Sequence, residues 1–227
     1  MSTHTKKRTA ILISGRGSNM QALVEAARAP GYAAEIALVI SNRPEAPGLA
    51  WAKAQGLPAL ALDHKHYESR EHFEGQLQSM LDLSKIDLIA LAGFMRLMTA
   101  SFVERWRGRM INIHPSLLPA FKGLDTHAAV IAAGARISGC TVHFVSPEMD
   151  DGPIIAQAAV PVLPSDSVEA LAARVLAAEH RLYPRALHLV ASGQVVLNAD
   201  RTTVQLTGEK GVNHRDVLAS PFALDNG

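Results

Sequence analysis

The stretch TAILISGRGSNMQALVEAARAPG, Thr9 to Gly31, changes its hydrophobic period half-way along. Its first part is a short apolar run that ends on Ser14-Gly15, as a buried strand does. Its second part sets Met20, Leu23, Val24 and Ala27 at helical spacing and stops at Pro30-Gly31. The reading is strand, glycine-rich turn, helix. The alternation continues with EIALVISN (35–42) as a strand, GLAWAKAQG (48–56) as a helix and residues 57–62 as a short strand. YESREHFEGQLQSMLDLS (67–84) reads as a helix, IDLIALAG (86–93) as a buried strand, and Ser101–Arg105 as a short helix.

Such alternation predicts an α/β fold: a Rossmann-like open, mostly parallel sheet with helices on both faces. After Pro119 the pattern changes. ISGCTVHFVS (137–146) and PIIAQAAVPV (153–162) are strand-like runs joined by PEMDDG, too short for a helical crossover. They are expected to be an antiparallel pair in the C-terminal half. DSVEALAARVLAAEHRLYPRALHLVASGQ (166–194) reads as a long helix, with Asp166 and Glu169 as a capping box and Pro184 as a break or kink. Residues 1–198 are expected to form one domain, with a phosphate- or nucleotide-binding half at 9–100 and a second half at 101–198. Residues 199–227 read as a polar, loosely patterned tail.

The 227 residues carry a formal net charge of +1, with 48% hydrophobic and 19% charged residues. That is an ordinary globular composition and gives no reason to expect a nucleic-acid partner. Lys6-Lys7-Arg8 reads as a solvated lead-in. Cys140 is the one cysteine, so an intrachain disulfide and a cysteine-built zinc site are excluded. No apolar run is long enough to span a membrane and no signal peptide stands out, so the cytoplasm is the expected location.

Three places carry candidate chemistry. The turn SGRGSN (14–19) joins strand to helix, where glycine permits close backbone approach and the helix start offers free N–H groups. Met20 replaces the third glycine of a dinucleotide fingerprint, strand two ends on Ser41-Asn42 rather than an acidic residue, and no G-K-[ST] occurs. MINIHPSLLP (110–119) ends a strand on a proline, with Asn112 and His114 on the same face at the strand's C-terminal end, where open sheets bind ligands. On this fragment alone, a satisfied turn explains the pair equally well. MDDGP (149–153) sets Asp150 on a turn, where a carboxylate facing the imidazole favours the charged ring. His127 and His143 lack metal-ligand spacing and no metal is expected; His64, His66 and His72 read as surface. Glu179 lies on the inward stripe of the long helix with Val175 and Leu182.

SGRGSN, SNRPEAPGL, LAGFMRLM, INIHPSLLPAFKG, TVHFV and MDDGPII occur in this order. Over about Ala10 to Val190 the chain resembles the phosphoribosylglycinamide formyltransferases, the glycinamide branch of the folate-dependent formyltransferases. The resemblance implies transfer of the formyl group of 10-formyltetrahydrofolate to the amine of glycinamide ribonucleotide, in purine synthesis. It implies that Asn112 and a protonated His114 hold an oxyanion and that Asp150 keeps the ring charged and organises a proton-shuttling water. It implies that Gly17, Ser18 and Asn19 bind the phosphate, and that Glu179 contacts the ribose. Arg70, Met95, Arg96, Leu97, Met98 and Asn112 would line the folate site. Asp125 and His127 receive no role. Asp151 stands where relatives often have glycine; if that turn needs positive φ, aspartate tolerates it better than most residues, and its charge would be an added negative one beside the folate. A formyltetrahydrofolate hydrolase is the nearest rival, disfavoured on the expectation that no regulatory domain precedes the first strand; methionyl-tRNA formyltransferase would need a further domain and a basic surface. The sequence leaves the oligomeric state open, a homodimer included.

Overall fold

The computed structural model describes residues 5–200, 202–207 and 219–220. Among these described residues, ten strands and six α-helices follow in chain order. They begin β1 (Lys7–Ile13), α1 (Ser18–Ala27), β2 (Ala34–Ser41), α2 (Pro47–Ala54), β3 (Ala59–Ala61), α3 (Arg70–Leu83), β4 (Leu88–Leu91) and α4 (Ala100–Arg105). They continue with β5 (Met110–His114), α5 (Thr126–Ala132), β6 (Ile137–Phe144), β7 (Ile154–Pro161) and α6 (Val168–Ala191). Short strands β8 (Val195–Leu197), β9 (Val204–Leu206) and β10 (Ala219–Ser220) close the list.

The main sheet has the order β10-β7-β6-β5-β4-β1-β2-β3. Pairings from β3 to β5 are parallel, and β6 and β7 run antiparallel to their neighbours, as the short PEMDDG connection requires. From β1 the chain winds outward through β2 to β3, then returns to place β4 on β1's other side. The strand order therefore reverses between β1 and β4, which in open α/β sheets opens a crevice at the strands' C-terminal ends.

Period-two alternation divides the core in two. Ile11, Ile13, Ile111 and Ile113 face a cluster built with α1, α2, α5 and α6. Ala10, Leu12, Ile89, Leu91 and Met110 face a second cluster with Phe73, Leu77 and Leu81 of α3 and with Phe102, Val103 and Trp106 at α4. Tyr183 of α6 is wholly buried, and its hydroxyl lies 2.9 Å from the Leu91 carbonyl and 3.2 Å from that of Ile111. That contact ties the long helix to the ends of β4 and β5.

Several local expectations need correcting. Helix α6 is capped by Ser167, whose side chain accepts from the Ala170 N–H at 3.2 Å. Asp166 is taken instead by Arg174, at 2.6 and 2.8 Å, and by the Leu163 N–H at 2.8 Å, which hold its carboxyl down at about 2. Helix α6 also continues through Pro184, whose carbonyl accepts from the Tyr32 hydroxyl at 2.5 Å. Lys7 and Arg8 are the start of β1 rather than a solvated lead-in; Arg8 donates to Glu35 at 2.5 Å and to the Ser84 carbonyl at 2.9 Å. Within 199–227, Val204–Leu206 pairs antiparallel with Val195–Leu197; residues 201, 208–218 and 221–227 of that tail lie outside the described residues.

Candidate active site

The turn after β1, the loop after β4 and the end of β5 all emerge at this crevice, and together they line a cleft of about 1150 Å³. At β5, Asn112 pairs across the sheet with His143, and Ile113 turns into the core between Asn112 and His114. The alternation expected of the strand is therefore present, and both polar side chains reach the cleft.

His114 is 5% exposed and held on two sides. Its Nε2–H donates to the Phe121 carbonyl at 3.0 Å, because a carbonyl can only accept. Its Nδ1 lies 3.4 Å from Asp150 Oδ2. A doubly protonated ring thus finds an acceptor at each nitrogen. Asp150 Oδ2 also accepts the Gly123 N–H at 3.0 Å, which couples the β5–α5 loop to the β6–β7 loop.

His143 orients the asparagine. Its Nδ1–H donates to the Phe144 carbonyl at 3.0 Å, leaving Nε2 as the acceptor for Asn112 Nδ2 at 3.2 Å. Burial pushes its pKa below the usual histidine value, keeping the ring neutral. Asn112 is left with a second amide N–H for a ligand. His143 was expected to be a packed residue, and it is buried.

The loops around His114 are strained. Phe121, Asp125 and Asp150 are non-glycine residues with φ of 54°, 55° and 52°. The turn does need a positive φ, and it falls on Asp150 rather than on Asp151, with the Asp150 carboxylate beside His114. Asp151 instead forms an ion pair with Lys122, which offsets the extra negative charge at the cleft mouth. Gly152 admits no side chain, since a Cβ there would sit 1.7 Å from the Phe144 carbonyl oxygen.

In the turn after β1, Gly17 has φ of 71° and opens α1. Arg16 and Asn19 line the cleft from this turn, whereas Gly17 and Ser18 stand beside it as backbone of the helix start. Asn19 Nδ2 donates to Glu179 Oε2 at 2.7 Å, and Asn19 Oδ1 is buried with no partner. Glu179 is 6% exposed, and desolvation raises its pKa, partly offset by Asn19. Arg70 and Met95–Met98 also line the cleft, with Met95 and Leu97 more than half exposed and the Arg96 guanidinium 5.3 Å above the Phe73 ring. His127 also reaches the cleft; burial and the neighbouring His114 lower its pKa. His64 is not a free surface residue as expected: its Nδ1–H donates to the Asn42 carbonyl at 2.9 Å.

The formyl transferase family profile matches residues 7–187. The chain belongs to this family. It is 39% identical over 191 residues to the phosphoribosylglycinamide formyltransferase of Haemophilus influenzae, covering 84% of this chain and 90% of that one. It is 50% identical over 190 residues to the trifunctional purine biosynthetic protein adenosine-3 of Gallus gallus, covering 84% of this chain but 19% of that one. The chain therefore spans less than a fifth of the trifunctional relatives' length. The glycinamide ribonucleotide transformylase 1 of Symbiobacterium toebii has the same fold, with a TM-score of 0.86 at 43% identity, covering 90% of this chain and 95% of that one. No helix among the described residues is long and apolar enough to cross a membrane.

Proposed function

We propose that this formyl transferase moves the formyl group of 10-formyltetrahydrofolate to the glycine amine of 5'-phosphoribosylglycinamide, a step of purine biosynthesis placed in the cytoplasm. The observation that carries the reading is that Asn112, His114 and Asp150 line one cleft together, with the Asp150 carboxylate 3.4 Å from the His114 ring. Arg16, Asn19 and Glu179 of its lining suit a phosphorylated sugar, and Arg70 and Met95–Met98 suit a flat, partly apolar pteridine.

Attack by the amine on the formyl carbon develops negative charge on the formyl oxygen. The second N–H of Asn112 and the positive ring of His114 stabilise that charge in a site fixed beforehand by His143 and Phe121. Asp150, at the Nδ1 edge of His114, supports the charged ring and accepts hydrogen bonds from a water that carries the amine's proton. The old C–N bond to the folate then breaks, and its nitrogen takes a proton. The free α1 N–H groups receive the phosphate, and Glu179 the ribose hydroxyls.

The test is tetrahydrofolate release with and without the nucleotide. The expected result is release only when both substrates are present. Equal release without the amine would make the site a hydrolase with water as acceptor.

A further inference from the structure

The segment Met95–Met98, assigned above to the folate, belongs to no helix or strand. Two side chains nevertheless tie its flanks at backbone N–H groups. At one end the Met95 N–H donates to Ser14 Oγ at 2.8 Å, and the Ser14 hydroxyl donates to buried Asn42 at 2.6 Å. At the other end the Thr99 N–H donates to Glu74 Oε1 at 2.7 Å, and the Thr99 hydroxyl donates to Glu74 Oε2.

Glu74 stands out. It is 5% exposed, sits in α3 among Phe73, Leu77 and Leu81, and does not line the cleft. Carboxylates are seldom buried this far unless both oxygens are engaged. Nothing in the reaction above uses it. The adjacent Phe73 carries Arg96 on its ring, so α3 meets the loop at two consecutive residues.

We infer that Glu74 is a positioning residue for folate recognition: its two bonds to Thr99 fix the height of the Met95–Met98 backbone against the cleft. Ser14 fixes the other end, so the exposed Met95 and Leu97 are displayed on a short span anchored twice. The inference rests on the assignment of that span to the folate.

The experiment measures KM for 10-formyltetrahydrofolate and for the nucleotide separately. Glu74→Ala leaves the Thr99 N–H without its acceptor and is expected to raise the folate KM about 10-fold, with the nucleotide KM and kcat within about 2-fold. Glu74→Gln is expected to stay within about 3-fold of the native folate KM, because its amide oxygen still accepts the Thr99 N–H while its amide N–H donates to Thr99 Oγ1. The Thr99 hydroxyl is then free to turn to Ser101 Oγ, 3.0 Å away. An unchanged folate KM in Glu74→Ala, or an equal rise for both substrates, overturns the proposal. If Glu74→Ala does not fold, Thr99→Ala decides by the same criterion, with a smaller rise expected in the folate KM alone and no rise overturning it. Met95→Asp separates the two readings. No change in folate KM there removes the folate assignment and the proposal with it. A change there, with none in Glu74→Ala, removes only the role of Glu74.

Discussion

At the residue scale, the site is a set of polar groups whose freedom has been removed by neighbours. His143 is kept neutral by burial so that it accepts from Asn112, and the Phe121 carbonyl leaves His114 only its Nδ1 edge for Asp150. Glu179 shows the cost of such placement. Desolvation raises its pKa above the ordinary 4.5, so folding favours its protonated form. Relative stability is highest below the unfolded value, is lost as pH rises through the raised folded value, and stays lower at neutrality. Glu179→Gln removes that burden and keeps an acceptor for Asn19. It is expected to raise Tm at pH 7 by roughly 2 °C, the shift about 1 kcal/mol gives in a chain of this size, and to weaken nucleotide binding about 10-fold. Melting curves at pH 4 and 7 check this, since the gain at pH 7 should shrink at pH 4. That Asn112 and His114 share one face of β5, and that Asp150 sits on a turn, was legible in the sequence because strand alternation and turn residues follow strong local rules; the approach of Asp150 to His114 was not, because it joins two separate loops. The brace from His143 to Asn112 required the β5–β6 register, which one sequence does not fix.

At the element scale, the sequence signals that survive are those with a period. The strand–turn–helix units from β1 to β4 and the antiparallel β6–β7 pair appear where alternation placed them. Helix α5, Thr126–Ala132, went unread because its seven residues bury only Thr126 and Val130 and give no stripe. The cap of α6 moved from Asp166 to Ser167 because Arg174, eight residues on, competes for the aspartate. Pro184 failed to stop α6 because packing on the sheet outweighs one lost backbone bond, with Tyr183 beside it fully buried. His64 looked exposed among polar neighbours, and its bond to Asn42 is a contact between segments far apart in sequence.

At the scale of the whole molecule, the reversal of strand order between β1 and β4 opens the crevice that the turn after β1, the loop after β4 and the end of β5 line, and α6 adds Glu179 to its wall. The same burial sets a pH response. His127, His143 and His180 all have pKa values lowered from 6.5, chiefly by desolvation. Below about pH 6.5 the unfolded chain binds protons that the folded chain resists, so stability is held above that pH and is lost as pH falls. Urea midpoints are expected to fall from pH 7 to pH 5, and His143→Gln is expected to flatten part of that fall. The central claim is the proposal that formyl transfer depends on the His114 ring at the end of β5. Its most direct test is kcat of His114→Ala at saturating concentrations of both substrates, on protein whose melting temperature shows it folded. The account predicts a loss of about 100-fold or more, the scale of removing a preorganised electrostatic contact; turnover near the native rate would contradict it.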